Sequence, residues 1–342
     1  MLTLEDSFSP PMKGQNVSTN APTVKHHALS IAPMMGYTDR HFRYFMRQIT
    51  QNTLLYTEMI TTGALLHGNT KRFLMHTPYE YPLAIQLGGS DPTALAKCAH
   101  IAQSAGFCEI NLNVGCPSDR VQQGQFGLCL MKQPDLVARC VEAMKQKVSV
   151  PVTVKTRIGV DGDQSLAHLV TFTERLVQSG VDHICLHART GWLKGLNPKE
   201  NRTIPPLNYQ RVYDIKAQFP NLSIGINGGI KTLDQAQEHL TVLDEVMIGR
   251  AAYHNPFLLH LADNLIFNST KTPQTREFII DNILNYIAIE IKQGTPIFHM
   301  VKHLVNFFHA QKGAKAFKRY ISDHLPSAPS IVTLEKALSL VA

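Results

Sequence analysis

Eight short apolar runs, rich in β-branched residues, recur between Ser30 and Arg250: SIAPM (30–34), LLYTEMI (54–60), PLAIQLG (82–88), CEINLNV (108–114), PVTVKTRI (151–158), HICLHAR (183–189), SIGING (223–228) and EVMIGR (245–250). Most are separated by one segment with helical spacing and its own caps. In DPTALAKCAHIAQSAG, Asp91 is placed to cap, Pro92 falls in the first turn and Gly106 stops the helix. PDLVARCVEAMKQK and LDQAQEHL read the same way. Strands this apolar, alternating with single helices, predict a parallel sheet covered by helices. Eight such units in succession predict a (β/α)8 TIM barrel over residues 30–267 rather than an open doubly wound sheet.

The pattern then changes. TREFIIDNILNYIAIEIKQG and PIFHMVKHLVNFFHAQKGAKAFKRYISDHL carry apolar residues at helical spacing without strand alternation. A small all-α C-terminal domain is therefore expected over residues 268–342, entered through NSTKTPQT (268–275). Residues 1–29 are polar, contain prolines and lack the apolar segment of a secretory signal, and read as a flexible N-terminal tail. No run is apolar and long enough to span a bilayer. Six cysteines lie scattered without CxxC or other metal-ligand spacing, which predicts free thiols in a reducing cytoplasm and no metal site. The formal charge of +7 points to an anionic partner. Between Ile291 and Ser322 lie Lys292, Lys302, Lys312, Lys315, Lys318 and Arg319, with no acidic residue among them.

In a barrel of this kind the reacting groups come from the carboxyl ends of the strands and the loops that follow. Those positions hold Pro33, Met34 and Met35, then Gln86, Asn113 with Cys116, Lys155 with Arg157, His187 with Arg189, Asn227 with Gly228 and Gly229, and Gly249 with Arg250. Glycines after the seventh and eighth strands let backbone N–H groups approach an anion, and Arg250 adds a bidentate charge, so a phosphate-bearing cofactor is expected. Tight turns alone would also use glycine. Lys155 interrupts an apolar strand near its end; it either meets an anionic cofactor ring or snorkels to solvent. His187 is open between a ring contact and a satisfied core histidine. Cys116, flanked by Gly115 and Pro117 in NLNVGCPSDR, sits past its strand, where it is presented to something rather than packed.

The stretches APMMGYTDRHFR, TEMITTGALLHGN, PLAIQLGGSDP, EINLNVGCPSDRVQQGQFGLCLM, VKTRIGVD, LHARTGWLKGLNPKENRTIPPLNY, INGGI and MIGRAAYHNP closely resemble the tRNA-dihydrouridine synthases, in order and across the whole barrel. HARTGWLKGLNPKENR is similar to the DusA branch. The resemblance implies an FMN-dependent enzyme, reduced by NADPH, that saturates the C5–C6 double bond of uridine in the tRNA D-loop at positions 20 and 20a. It places flavin contacts on Pro33, Met34, Met35, Gln86, Lys155, His187, Asn227, Gly228, Gly229, Gly249 and Arg250, and the proton donor on Cys116. Hydride delivered to C6 leaves charge that a proton at C5 must quench, and an ordinary thiol is mostly protonated at neutral pH.

A uridine in folded tRNA must be extruded to reach such a site. Asn113 is expected at the base edge. Lys194, Lys199 and Arg202 in the loop after the sixth strand, and Lys302, Lys312, Lys315, Lys318 and Arg319 in the tail, are expected along the phosphate backbone. Glu200 and Thr203 of the KENRT stretch are counted with them as substrate contacts. No GxGxxG follows a predicted strand, so no separate dinucleotide site is expected. No obligate protein partner is expected either. An FMN barrel acting on free pyrimidines and a tRNA-binding protein without chemistry are the competing readings. The basic tail speaks against the first, and Cys116, Lys155 and the glycine pairs against the second.

Overall fold

The computed structural model describes residues 27–341, so most of the expected N-terminal tail lies outside the described residues. Eight strands form one sheet: β1 (Leu29–Ile31), β2 (Leu55–Thr61), β3 (Leu83–Gly88), β4 (Glu109–Asn113), β5 (Val152–Arg157), β6 (His183–His187), β7 (Ser223–Asn227) and β8 (Glu245–Ile248). Their order is β1-β8-β7-β6-β5-β4-β3-β2, and every pairing is parallel. The seam between β1 and β2 is bridged by Ile31 N–H to Leu54 O at 2.9 Å and Leu54 N–H to Leu29 O at 3.0 Å. This is the (β/α)8 TIM barrel expected from the alternation. β1 stops at Ile31, short of the run ending at Met34, because Pro33 has no N–H to donate to a ladder.

The connecting helices follow local chemistry. Asp91 accepts from Ala94 N–H at 2.6 Å and starts the helix Pro92–Ser104; Gly106, at φ 100°, lets the chain leave it. The helix Leu233–Leu240 is capped by Thr232.

Side-chain alternation along the strands decides the site. On β4 to β8 one parity is aliphatic, as in Ile110, Leu112, Val152, Val154, Ile184, Leu186, Ile224, Ile226, Val246 and Ile248, and packs in the main core under the helices. The other parity faces the barrel interior and is largely polar: Glu109, Asn111, Asn113, Thr153, Lys155, Arg157, His183, His187, Ser223, Asn227 and Glu245. A small apolar layer of Ala32, Leu54, Tyr56, Ala84, Cys185 and Met247 crosses that interior. The strands are therefore less uniformly apolar than they first read: a two-residue period separates a greasy outer face from a polar lumen.

After Leu265 the chain runs without regular structure through 268–275 and enters the helices Arg276–Lys292, Phe298–Leu304, Ala314–His324 and Ile331–Leu338. Their buried residues Ile279, Ile283, Ile287, Met300 and Leu304, with Phe307 from the turn that follows the second of them, join the barrel's main core. The attachment is to the helix Arg40–Ile49. Tyr286 stacks on Tyr44 with ring centroids 3.9 Å apart, and Arg40 grips Glu290 through two bonds of 2.6 and 2.5 Å. Asp39, the cap of that helix, also holds Lys302 at 2.7 Å and His303 at 2.9 Å. Desolvation by burial pushes the Asp39 carboxyl up, but hydrogen bonds and charge from His303, Lys302 and the Phe42 N–H outweigh it and hold the group far below the usual carboxylate range. Because Asp39 begins the helix that follows β1, the helical segment borders the carboxyl-end face of the barrel. Among the described residues no helix is long and apolar enough to cross a membrane.

Candidate active site at the barrel mouth

The parallel register brings the upper lumen residues into one ring. Gln86 lies opposite Asn111, Asn113 opposite Lys155, Arg157 opposite His187, His187 opposite Asn227, and Asn227 opposite Met247. Side chains stitch these pairs together. Asn113 Nδ2 donates to Gln86 Oε1 at 2.9 Å, Gln86 Nε2 to Asn111 Oδ1 at 2.8 Å, and Asn111 Nδ2 to Thr153 Oγ1 at 2.8 Å. Across the mouth, Lys155 Nζ donates to Asn227 Oδ1 at 3.1 Å, and Asn227 Nδ2 donates to Met247 O at 2.7 Å. Lys155 therefore points into the lumen and does not snorkel.

Cys116 is set by two anchors. Asn113 Oδ1 accepts the N–H groups of Gly115 and Cys116 at 3.2 and 3.0 Å. Arg157 Nε donates to Gly115 O at 2.9 Å while its Nη1 reaches Thr190 O at 3.2 Å and Asn201 O at 3.0 Å. One buried guanidinium thus ties the loops after β4 and β6 to the end of β5. Asn113 was expected at a base edge; both lone-pair directions of its carbonyl are engaged in the loop, which leaves one amide proton for a ligand. Ser118 Oγ lies 3.5 Å from the Cys116 sulfur.

The electrostatics are one-sided. Lys155, Arg157, Arg189, Arg202 and Arg250 converge here, and among the described residues none of them forms an ion pair. Burial drives the Lys155 ammonium below its ordinary pKa, with Arg157 adding to the effect. Burial likewise pushes Arg157 down to about 10, and Arg202 down, with Arg250 beside it. His187 falls well below the usual imidazole value, first through desolvation and then through Arg157, Lys155, Arg189 and Arg250. It is neutral at pH 7, and its buried Nδ1 has no hydrogen-bond partner among the described residues. Unpaired cations gathered around an orphaned ring nitrogen constitute a site for an anionic, hydrogen-bonding ligand.

The glycines divide into two kinds. Gly228 at φ 115° and Gly229 at φ 76° need glycine for their own turn, and a Cβ on Gly229 would sit 2.5 Å from Leu207. Gly249 is different: a Cβ there would meet nothing nearer than Ala32 Cβ at 3.8 Å, so the protein leaves that space empty. Arg250 follows it, exposed, donating to Arg202 O at 3.4 Å. Cradle, cation and neutral imidazole together fit a phosphate-bearing ring cofactor. Pro33 and Met34 are partly buried beside this face, and Met35 is 62% exposed.

The expected backbone-binding residues are less closely gathered. Lys199, Glu200, Arg202 and Thr203 do share the loop after β6, but Glu200 Oε2 accepts Asn197 N–H at 2.8 Å and Thr203 Oγ1 donates to Lys199 O at 3.2 Å, both within the loop. Lys302 is taken by Asp39. Lys315 is exposed, Lys318 donates to Asn306 Oδ1 at 3.2 Å, and Arg319 faces Asp323 at 3.5 Å on a solvated helix face. Two residues escaped sequence reasoning in their actual roles: Arg157 as a loop anchor, and Asn201, which accepts Trp192 N–H at 2.7 Å and donates to Trp192 O at 3.0 Å and Leu196 O at 2.9 Å. The arginine within an apolar strand was a signal. Asn201 gave none, since its partners meet only when the loop closes.

Fold and site define a (β/α)8-barrel enzyme with a cationic mouth and a thiol held just past its fourth strand. The family model for dihydrouridine synthase matches residues 30–340. The chain belongs to the dihydrouridine synthase family. It is 54% identical over 295 residues to a protein of Synechocystis, covering 86% of this chain and 88% of the other. It is 52% identical, with the same coverage, to one of Shewanella oneidensis, and 50% identical over 324 residues to one of Pasteurella multocida, covering 94% and 99%. Each of these relatives is named tRNA-dihydrouridine(20/20a) synthase. Among solved structures, an old yellow enzyme homologue from Zymomonas mobilis superposes with a TM-score of 0.52 at 13% identity, over 74% of this chain and 92% of that one. At that identity the likeness is one of fold alone.

Proposed function

We propose that this enzyme reduces the C5–C6 double bond of uridine in the D-loop of tRNA, at positions 20 and 20a, with FMN as its cofactor and NADPH as the electron source. The observation that carries this reading is the pairing of one held thiol, Cys116, with the unpaired cationic mouth formed by Lys155, Arg157, Arg202 and Arg250. Gly249 and Arg250 would hold the cofactor phosphate, and Gln86, Lys155, His187 and Asn227 its ring, with Gly228, Gly229, Pro33, Met34 and Met35 shaping the cleft. A reduced flavin bound by these residues would supply the hydride for C6.

The chain's own residues do the rest. Cys116 gives its proton to C5, and the thiolate left behind lies in the field of Lys155, Arg157 and Arg202, each of which interacts with the sulfur's charge. The remaining Asn113 amide proton is available to the pyrimidine edge. Lys199, Glu200, Arg202 and Thr203, with Lys315, Lys318 and Arg319 of the helical segment 268–342, would face the RNA outside, in the cytoplasm. The test is Cys116→Ala. It should retain flavin and be reduced by NADPH at the normal rate yet form no dihydrouridine in a tRNA transcript. Normal dihydrouridine formation by that variant removes Cys116 from the reaction.

A further inference from the structure

Beyond the mouth, β5 and β6 continue as a short rigid ladder. Gly191 N–H donates to Gly159 O at 2.9 Å and Asp161 N–H to Gly191 O at 2.8 Å. Above it the loop 191–206 is pinned from inside by Asn201, itself fully buried and gripped by Arg157. What this frame holds out to solvent is an open groove of about 490 Å³, walled by Trp192, Leu196, Ile204, Pro205 and Pro206 with Lys194 at its rim. Trp192 is 36% and Ile204 59% exposed, so two large apolar side chains are displayed by a loop that spends several buried hydrogen bonds on rigidity. The indole's outer ring rests against Gly162, which has no side chain to displace it.

The groove adjoins the cationic mouth through its own wall. Arg189 donates to Pro205 O, and Arg202 O accepts from Arg250. No acidic side chain lines it, and its single charge is positive. An open apolar groove lined by an exposed indole and a lysine, beside a cationic mouth, is the combination that binds a nucleobase by stacking and its phosphate by charge. We propose that this groove takes a second, unpaired nucleobase of the substrate RNA, flanking the reduced uridine, with its ring on Trp192 and its phosphate at Lys194. The inference rests on the tRNA reading above.

Trp192 is the one tryptophan of the chain, so its emission reports the groove directly. FMN-loaded Cys116→Ala protein titrated with unmodified tRNA transcript should show saturable quenching of that emission, over the same concentrations at which the RNA is retained on filters. Trp192→Ala should raise KM for tRNA roughly 10-fold or more, the loss of one base–aromatic stack, while kcat at saturating tRNA, flavin content and reduction by NADPH stay at wild-type values. Trp192→Phe should recover most of the KM, which a merely unfolded loop would not. Unchanged emission while tRNA binds, or an unchanged KM in Trp192→Ala, overturns the proposal and leaves the function intact. Emission that changes with protein concentration alone, with dimers in sedimentation, assigns the groove to a second copy and also overturns it. Failure of the wild-type enzyme to form dihydrouridine refutes the functional reading instead; a short oligouridylate then still tests the groove, with quenching expected and its absence decisive against it.

Discussion

Replacing Arg157 by methionine separates what holds this site from what merely fills it. The side chain is 4% exposed and donates to three carbonyl oxygens, those of Gly115, Thr190 and Asn201. Hydrogen bonds from a charged donor contribute about 1.5 to 3 kcal/mol each, and the orphaned carbonyls carry their own desolvation cost. Against this stands relief from burying a cation, which already pushes its pKa down to about 10. Taking the lower bound for three bonds and subtracting about 1 to 2 kcal/mol for that relief leaves a net loss of about 3 kcal/mol. For a chain of this size that corresponds to a melting temperature lower by roughly 4 °C. The activity effect should be larger, because Gly115 immediately precedes Cys116: misplacing the donor by about 1 Å can cost on the order of 100-fold in kcat. The assay pairs thermal unfolding of the FMN-loaded protein with dihydrouridine formation at saturating tRNA. Arg157→Lys, which keeps the charge but cannot span three acceptors, should lose nearly as much kcat. If Arg157→Met melts early yet turns over at the wild-type rate, the anchor stabilises the loops without positioning the thiol, and the reasoning fails.

Two further outcomes follow from the buried ionisable groups. Lys155→Met should leave the apoprotein as stable as wild type or more so, since a buried ammonium is replaced by an apolar chain of similar length, while the bound flavin becomes harder to reduce; a midpoint potential equal to wild type would remove Lys155 from cofactor tuning. His41 is depressed to about 4 by desolvation, with Arg40 adding to it. Its folded pKa lies below the ordinary 6.5, so the unfolded chain takes the proton first; its contribution is complete above pH 6.5 and is lost as pH falls toward 4. Urea unfolding at pH 7 and pH 5 should therefore show a smaller pH penalty in His41→Gln than in wild type, and equal penalties would contradict the assignment.

The barrel was legible because its signals are local. Strand runs, the Asp91 cap and the Gly106 stop each depend on residues a few positions apart, and all reappear in the structure. Strand-end counting also reached Lys155, His187, Asn227 and Gly249, since a parallel barrel places every strand's carboxyl end on one face. Reading the strands as nearly uniform apolar runs missed the polar lumen. That error traces to the short strands, in which two or three inward polar residues are masked by aliphatic neighbours of the opposite parity.

Charge pairing was less legible than the fold. Lys302 looked like one of a free basic series, yet Asp39, more than two hundred residues earlier, holds it. Arg157 and Asn201 found their partners in the same way, through loops that meet only once β4, β5 and β6 stand side by side. Sequence alone determined the βα alternation, the helical C-terminal segment and the family motifs, because each is written in contiguous or periodic residues. Only the tertiary structure decided which cations remain unpaired at the mouth, how Cys116 is held and where Trp192 is displayed, because those depend on through-space distances between residues the chain keeps far apart.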